Sequence, residues 1–394
     1  MKTINRDVIV VGAGPAGSTC AAFLMRQGIA PLLVDRAIFP RDKPCGDGQT
    51  GVTTLILEEL GWLDGLREFG HENHGVVITS PDYTKVIVEA PRKGYRYDSP
   101  RRVFDDYCRR QAIKEGAEML EDFWVYDLIK EDGFVKGVKA KYQGEYIEVR
   151  SNIVIGADGA HSIVAKKLGM FPENELDVGV AGRCYYEDVD IEPYNEIHFD
   201  INVLPGYVWL FPVGNKMCNV GLGFARGLYE EGKMRPFEEY IDIWIEKSPF
   251  GECLRGKRRV GEFRGWRIPC GSQAMDNYTS GCLLIGDAGS MVMPLTGEGV
   301  GPAMVTAKMA AELCKEAVDK NDFSAEVLKE YPKRRDEKYL AKYTSIKALE
   351  TAIASPDHIN GLAHSMKDDP RVLAGFQQQW FFELYETMGG MAEK

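Results

Sequence analysis

Val8-Ile-Val-Val11, followed directly by Gly12-Ala-Gly14-Pro-Ala16-Gly17 and then by Ser18–Gln27, is the stretch that decides the fold. The four apolar residues show no polar alternation, as expected of a parallel strand covered on both faces. Each glycine has its own duty: Gly12 permits the tight turn, Gly14 lets backbone approach a pyrophosphate, and Gly17 lets the helix pack close to the strand. The Ala, Phe, Leu and Met residues of Ser18–Gln27 suit a buried helix whose N-terminus would face the phosphates. A second apolar strand, Pro31–Val34, ends in Asp35, eighteen residues past the third glycine, where an acid for an unphosphorylated ribose belongs. Strand, glycine turn, helix and acid in this order predict a dinucleotide site for FAD or NAD.

Two distant segments bear on which of the two it is. Asn152-Ile-Val-Ile-Gly-Ala-Asp158-Gly159 is another buried strand running into an acid–glycine turn. Gly281-Cys-Leu-Leu-Ile-Gly286-Asp287-Ala-Gly289 repeats the pattern, and Pro294-Leu-Thr-Gly297-Glu-Gly299-Val300-Gly301 leads into an Ala- and Met-rich helix. An acid at a strand end can bond a ribityl hydroxyl, and a helix start beyond glycine can offer N–H groups to a flavin ring. Either segment alone reads equally well as a structural turn. The three together, in this order, resemble the flavin monooxygenase-like superfamily with its glutathione-reductase-type FAD domain. That resemblance implies FAD as cofactor, with contacts from Gly12, Gly14, Ala16, Gly17, Asp35, Arg36, Asp158, Asp287, Gly299 and Val300. It also implies Arg101, in the helix opening Ser99-Pro-Arg101-Arg102, with Arg102 as the alternative, and Val125 laid against the adenine.

Composition excludes several other classes. The 394 residues suffice for two to three folding units, and 48 Lys+Arg against 59 Asp+Glu give a net charge of −11, with no basic run suited to nucleic acid. Nine cysteines, odd in number and without a Cys-x-x-Cys pair, argue against a disulfide framework, a metal knuckle or an iron–sulfur cluster. No metal site is expected. Neither a secretory signal nor a long apolar run is visible, so the expectation is a cytoplasmic protein, at most peripheral at the inner face of a membrane.

Arg41-Asp-Lys43-Pro-Cys45-Gly46-Asp-Gly48, together with Gly206-Tyr207-Val-Trp209-Leu-Phe211-Pro212 and the Pro294–Gly301 turn, resembles the geranylgeranyl reductase family up to about residue 320. That resemblance implies an FAD-dependent reductase that saturates isoprenoid double bonds in a prenyl lipid or prenyl quinone. With only one complete dinucleotide fingerprint in the chain, the electrons are expected from transient NAD(P)H or from ferredoxin. Gly46 and Gly48 allow backbone to approach a flat ligand. Cys45, placed to face the flavin or the substrate, is the first candidate beside the reacting centre, and Tyr207 the second. The other eight cysteines default to packing. Tyr207, Trp209 and Phe211 alternate along a strand and share one face, either lining an apolar pocket or packing the sheet core.

The expected architecture is α/β: a discontinuous Rossmann-like FAD domain (1–75, 96–170 and 271–320), an inserted and largely antiparallel substrate sheet (76–95 and 171–270), and a C-terminal helical region (321–394). In that last region Trp380, Phe381, Phe382, Leu384 and Tyr385 are expected to pack against the sheet domain. Two rival functions remain in view. One is an aromatic hydroxylase or halogenase of the same superfamily; the other is a non-catalytic prenyl-binding escort module that would lack flavin.

Overall fold

The computed structural model describes residues 2–172, 178–225, 235–271, 275–352 and 355–381. It divides into two compact units: Met1–Asp42, Arg102–Asp177 and Ile268–Lys347, and Lys43–Arg101, Val178–Arg267 and Ala348–Lys394. The class is α/β, with a Rossmann-like sheet, a second sheet and C-terminal helices, as read from the sequence.

The first unit is built on an eight-stranded sheet in which Lys2–Val11 lies between Leu32–Val34 and Glu145–Gly156, parallel to both. Val8–Val11 is buried throughout, while Lys2–Asp7 alternates toward solvent. The strand therefore starts earlier than its apolar run suggests, because its first half pairs with Ile147–Ser151 at the edge of an antiparallel meander. Cys282–Leu284 adds in parallel beside Val154–Gly156. The helix Pro15–Arg26 is buried from Pro15 to Leu24 and packs on the long helix Val300–Lys320. Small residues make that approach close: a Cβ on Gly286 would lie 3.0 Å from Ala303 Cβ and 3.2 Å from Ala16 Cβ.

The second unit holds a seven-stranded sheet in the order Arg259–Pro269, Val178–Tyr186, Cys218–Ala225, Tyr207–Pro212, Asn195–His198, Gly75–Thr79 and Lys85–Glu89. From Val178–Tyr186 to Lys85–Glu89 its pairings are antiparallel apart from that of Asn195–His198, which runs parallel to Gly75–Thr79, a strand brought in from a distant segment. The sheet's two faces are served by alternate residues. Val208 and Leu210 join Val220, Leu222 and Trp244 of the helix Phe237–Lys247 in one core. Tyr207 and Phe211, on the opposite face, join Phe376, Trp380 and Phe381 in another.

Those last contacts come from the helix Pro370–Trp380, which starts earlier than the aromatic run because Asp369 accepts from the Arg371 N–H and Pro370 suits a first turn. Phe382, Leu384 and Tyr385 lie outside the described residues. Lys43–Arg101 packs with the sheet unit, whereas the sequence reading kept residues up to 75 with the flavin-type segments. The reason is a small three-stranded sheet, Gly48–Gln49, Tyr97–Asp98 and His71–Glu72, which ties this segment together.

Candidate functional site

In the first unit the glycine turn is compressed against the strand ends. Gly12 has φ +103°, its N–H donates to Val34 O at 2.7 Å, and a Cβ there would lie 2.4 Å from Ala157 O. A Cβ on Gly17 would lie 1.7 Å from Gly12 O. Gly14 is the N-cap of Pro15–Arg26 and no side chain caps that helix, so its first-turn N–H groups present an anion site. The Arg41 guanidinium lies over this turn, 3.4 Å from where a Gly14 Cβ would stand. It is held there at 2.7 Å by the fully buried Asp105 carboxylate. Sequence reasoning passed over Arg41, whose partner is 64 residues away.

Asp35 ends its strand half-buried and braces the turn, accepting from Ala13 N at 2.7 Å and Ala37 N at 2.8 Å, while neighbouring Arg36 is exposed. Asp158 accepts from Ser162 Oγ at 2.5 Å, Ile163 N at 2.6 Å and Val164 N at 3.2 Å, and so joins the N-cap Ser162, whose Oγ accepts from Ala165 N, in satisfying the first turn of the helix Ile163–Leu168. Burial raises its pKa. Helix capping by itself accounts for this acid–glycine turn. Asp287 and Gly299 converge instead: a Gly299 Cβ would stand 3.3 Å from Asp287 Oδ1. Gly299 is the N-cap of Val300–Lys320, again without a capping side chain, and Val300 opens that helix buried. Val125 is half-buried on the strand Phe123–Glu131 opposite Ala140. A cradle that one Cβ would fill, two uncapped helix starts, an acid at ribose position and a fixed guanidinium suit the pyrophosphate, ribose and ring of FAD.

The second unit carries a polar cluster laid on an aromatic row. Register puts Tyr185, Asn219 and Phe211 side by side, then Arg183, Gly221 and Trp209, then Ala181, Gly223 and Tyr207, all on one face. Glycine is required in the middle strand: a Cβ on Gly221 would lie 2.0 Å from the Trp209 ring. Trp209 Nε1 donates to Asn219 Oδ1 at 2.9 Å, and Asn219 Nδ2 donates to Cys45 O and to Asp47 Oδ2, both at 2.7 Å. This amide therefore fastens the Cys45–Gly48 segment to the aromatic row. Gly46 touches the row itself, with a Cβ position 3.1 Å from Phe211 and 3.7 Å from Trp209 Nε1. Gly48 faces Asp98 and Asn195. Cys45, Tyr207 and Phe211 are half-buried and Trp209 is buried. Of the other cysteines seven are buried and Cys253 is half-buried.

Asp47 lies at the centre of this cluster. It is fully buried, at φ +69°, and accepts from Tyr185 Oη at 2.5 Å, Asn219 Nδ2 at 2.7 Å and Arg101 N at 3.1 Å. Burial raises its pKa to about 6, against the lowering effect of those donors and of Arg183. Asp98, bonded by Asn195 Nδ2 at 3.1 Å and Asn73 Nδ2 at 3.0 Å, is raised to about 7, chiefly by burial and in addition by Asp47. Arg101 is thus buried with its backbone on Asp47, while Arg102 is exposed. Asp47, Tyr185 and Asn219 were not singled out from the sequence. The available signal was glycine at alternate positions of Asn219-Val-Gly221-Leu-Gly223, which in a strand marks close approach of another group. Among the described residues no group of His, Cys, Asp and Glu is placed to hold a metal ion.

The family model described as FAD binding domain matches residues 5–338. A digeranylgeranylglycerophospholipid reductase 1 of Methanopyrus kandleri is 32% identical over 84% of this chain and 86% of its own length. Digeranylgeranylglycerophospholipid reductase of Methanosarcina acetivorans is 32% identical over 85% and 81%. Among solved structures, a geranylgeranyl bacteriochlorophyll reductase-like protein from Thermoplasma acidophilum superposes with a TM-score of 0.86 at 26% identity, covering 98% of this chain and 99% of that one. A flavin-dependent brominase at 22% identity and TM-score 0.79, covering 95% and 93%, shares the fold.

Proposed function

Since the chain belongs to the digeranylgeranylglycerophospholipid reductase family of FAD-binding flavoproteins, we propose that it saturates the carbon–carbon double bonds of geranylgeranyl chains on a lipid. The observation that supports this most is the glycine-floored sheet face with its row of Tyr207, Trp209 and Phe211, an apolar surface suited to a prenyl chain. An isolated trisubstituted alkene is not electrophilic, so a hydride added at one carbon requires a proton at the other. Bound and reduced FAD supplies the hydride. Gly12, Gly14, Gly17, Arg41 and Asp35 would hold its pyrophosphate and ribose, and Asp287 with the Gly299–Val300 helix start would hold its ring end. The aromatic row excludes water from the alkene and orients it, and the cluster around Cys45 and Asp47 lies beside that row. NAD(P)H or ferredoxin would supply the electrons.

The test is anaerobic incubation of the dithionite-reduced protein with a digeranylgeranyl glycerophospholipid, followed by mass spectrometry. A gain of two hydrogens per double bond is expected. Unchanged lipid together with fully reduced, retained flavin would overturn the reading, and a protein that binds prenyl lipid but cannot be reconstituted with FAD would be an escort module.

Peripheral membrane contact belongs to the same reading. No helix among the described residues is long and apolar enough to cross a membrane. On the outer meander Trp124, Tyr126 and Tyr146 are 51%, 38% and 61% exposed, and Lys141 stands directly opposite both Trp124 and Tyr146. Aromatic rings with a lysine between them suit the headgroup level of a bilayer. Lys139 faces Asp127 and Glu148, so the patch has little net charge and its contact would be aromatic rather than electrostatic. The double variant Trp124→Ser/Tyr146→Ser should co-sediment several-fold less with phosphatidylcholine vesicles, and wild-type binding should persist in high salt. Unchanged binding by the variant would exclude this surface.

A further inference from the structure

We propose that Tyr185 delivers the proton that completes saturation of the double bond, and that Asp47 behind it is the positioning residue that recharges it. This rests on the reading that the Tyr207–Phe211 face receives the prenyl chain. Tyr185 is half-buried on that same face, in register with Asn219 and Phe211, so its hydroxyl borders the aromatic row. Its Oη is bonded to Asp47 Oδ2, and the Arg183 guanidinium lies over its ring, 4.5 Å from the centroid. A cation on the ring and a carboxyl at the hydroxyl are what a phenol needs to give up a proton and regain it.

Asp47 is suited to store that proton. Its side chain is fully buried, and the groups facing it are Tyr185 and Arg183 from one strand, Asn219 from the next, the Arg101 N–H at a helix start, and Asp98, itself bonded by Asn73 and Asn195 and near Arg96. A second buried carboxyl so close disfavours charge on both, so the cluster holds a proton into the neutral range.

The step balances as follows. FAD, when bound and reduced, would supply the hydride for a C–H bond at one alkene carbon in place of the π bond. The O–H bond of Tyr185 breaks to form C–H at the other carbon, and Asp47 Oδ2–H passes its proton to Tyr185 Oη. The alkene thereby gains two electrons and two hydrogens, both electrons being those FAD would supply, and the Asp47 carboxylate takes a proton from solvent before the next turnover.

Because the active form carries the proton on Asp47, the rate should be flat below pH about 6 and fall about tenfold per unit above it. Single-turnover oxidation of the dithionite-reduced holoenzyme by prenyl lipid is the assay. Asp47→Asn and Tyr185→Phe should each slow it by about 10²-fold or more, Asp47→Asn should lose the pH limb, and Asp47→Glu should recover part of the rate. Flavin content and melting temperature should stay at wild-type values. An infrared titration of the flavin-free protein should show a buried carboxyl band disappearing near pH 6 that is missing in Asp47→Asn. Should Asp47→Asn lose flavin, Tyr185→Phe carries the test. Wild-type rate in Tyr185→Phe, or a pH limb that survives in Asp47→Asn, would overturn the proposal. A wild-type enzyme that reduces no prenyl lipid at any pH would instead overturn the function on which it rests.

Discussion

Gly17→Ala is expected to give a protein that no longer retains FAD. The added methyl would stand 1.7 Å from Gly12 O and 2.9 Å from Gly12 C, which are backbone atoms, and 3.3 Å from Val10 Cγ1. No rotamer change relieves a clash with backbone, so the helix Pro15–Arg26 must withdraw from the turn. Over-packing of this kind costs about 1–3 kcal/mol or more. The withdrawal also moves the first-turn N–H groups away from the pyrophosphate position and spoils the Asp35 bond to Ala13 N, 2.7 Å long here. Flavin released on denaturation, measured per chain, should fall below a tenth of the wild-type value, with a lower melting temperature. Stoichiometric flavin at wild-type stability would show that the turn is not compressed as described. Gly361→Ala is the control, because nothing lies within 4 Å of its Cβ position and it sits in the helix Pro356–Asp368. There alanine should be neutral or stabilising by up to about 1 kcal/mol.

Gly221→Ala should produce the opposite phenotype, with flavin kept and turnover lost. Its methyl would meet Trp209 Cζ2, Cε2 and Cη2 at 2.0, 2.4 and 2.5 Å. The indole is buried and tied through Nε1 to Asn219, so it cannot swing aside without breaking that bond. Asn219 then loses the orientation that holds Cys45 O and Asp47 Oδ2. A displacement of about 1 Å in such a cluster is enough to lower kcat by about 10²-fold. Trp209→Phe separates the two effects, since it removes the N–H but leaves room above Gly221. A Gly221→Ala enzyme with wild-type kcat/KM for prenyl lipid would rule out the cluster as part of the reacting site.

The flavin half of the molecule was legible in the chain because its signals are local. Val8–Gly17 and Asp35 lie within one strand–turn–helix–strand unit, where backbone geometry dictates residue type position by position. That stretch predicts a Rossmann-like dinucleotide unit, and the resemblance carried by it together with the segments around Asp158 and Asp287 implies that the dinucleotide is FAD. The Tyr207-Val-Trp209-Leu-Phe211 alternation likewise placed three rings on one face without any tertiary information. Even in this half, the reach of local pattern ended at Arg41, whose place over the glycine turn is set by Asp105.

The sheet half was decided by tertiary structure. Cys45 and Tyr207 drew notice as single residues, yet what joins their segments is the Asn219 amide, 172 residues from Asp47, and Tyr185, 138 residues from it. Such pairings come from strand register and from the fold of Lys43–Arg101 onto its own small sheet, which no local pattern encodes. The sequence by itself determined that this protein binds FAD in a Rossmann-like unit and presents an aromatic strand. Only the tertiary structure decided which polar group stands behind that strand, because the burial that raises the Asp47 pKa exists only when three other segments, carrying Asp98 and Arg101, Arg183 and Tyr185, and Asn219, close around one carboxyl.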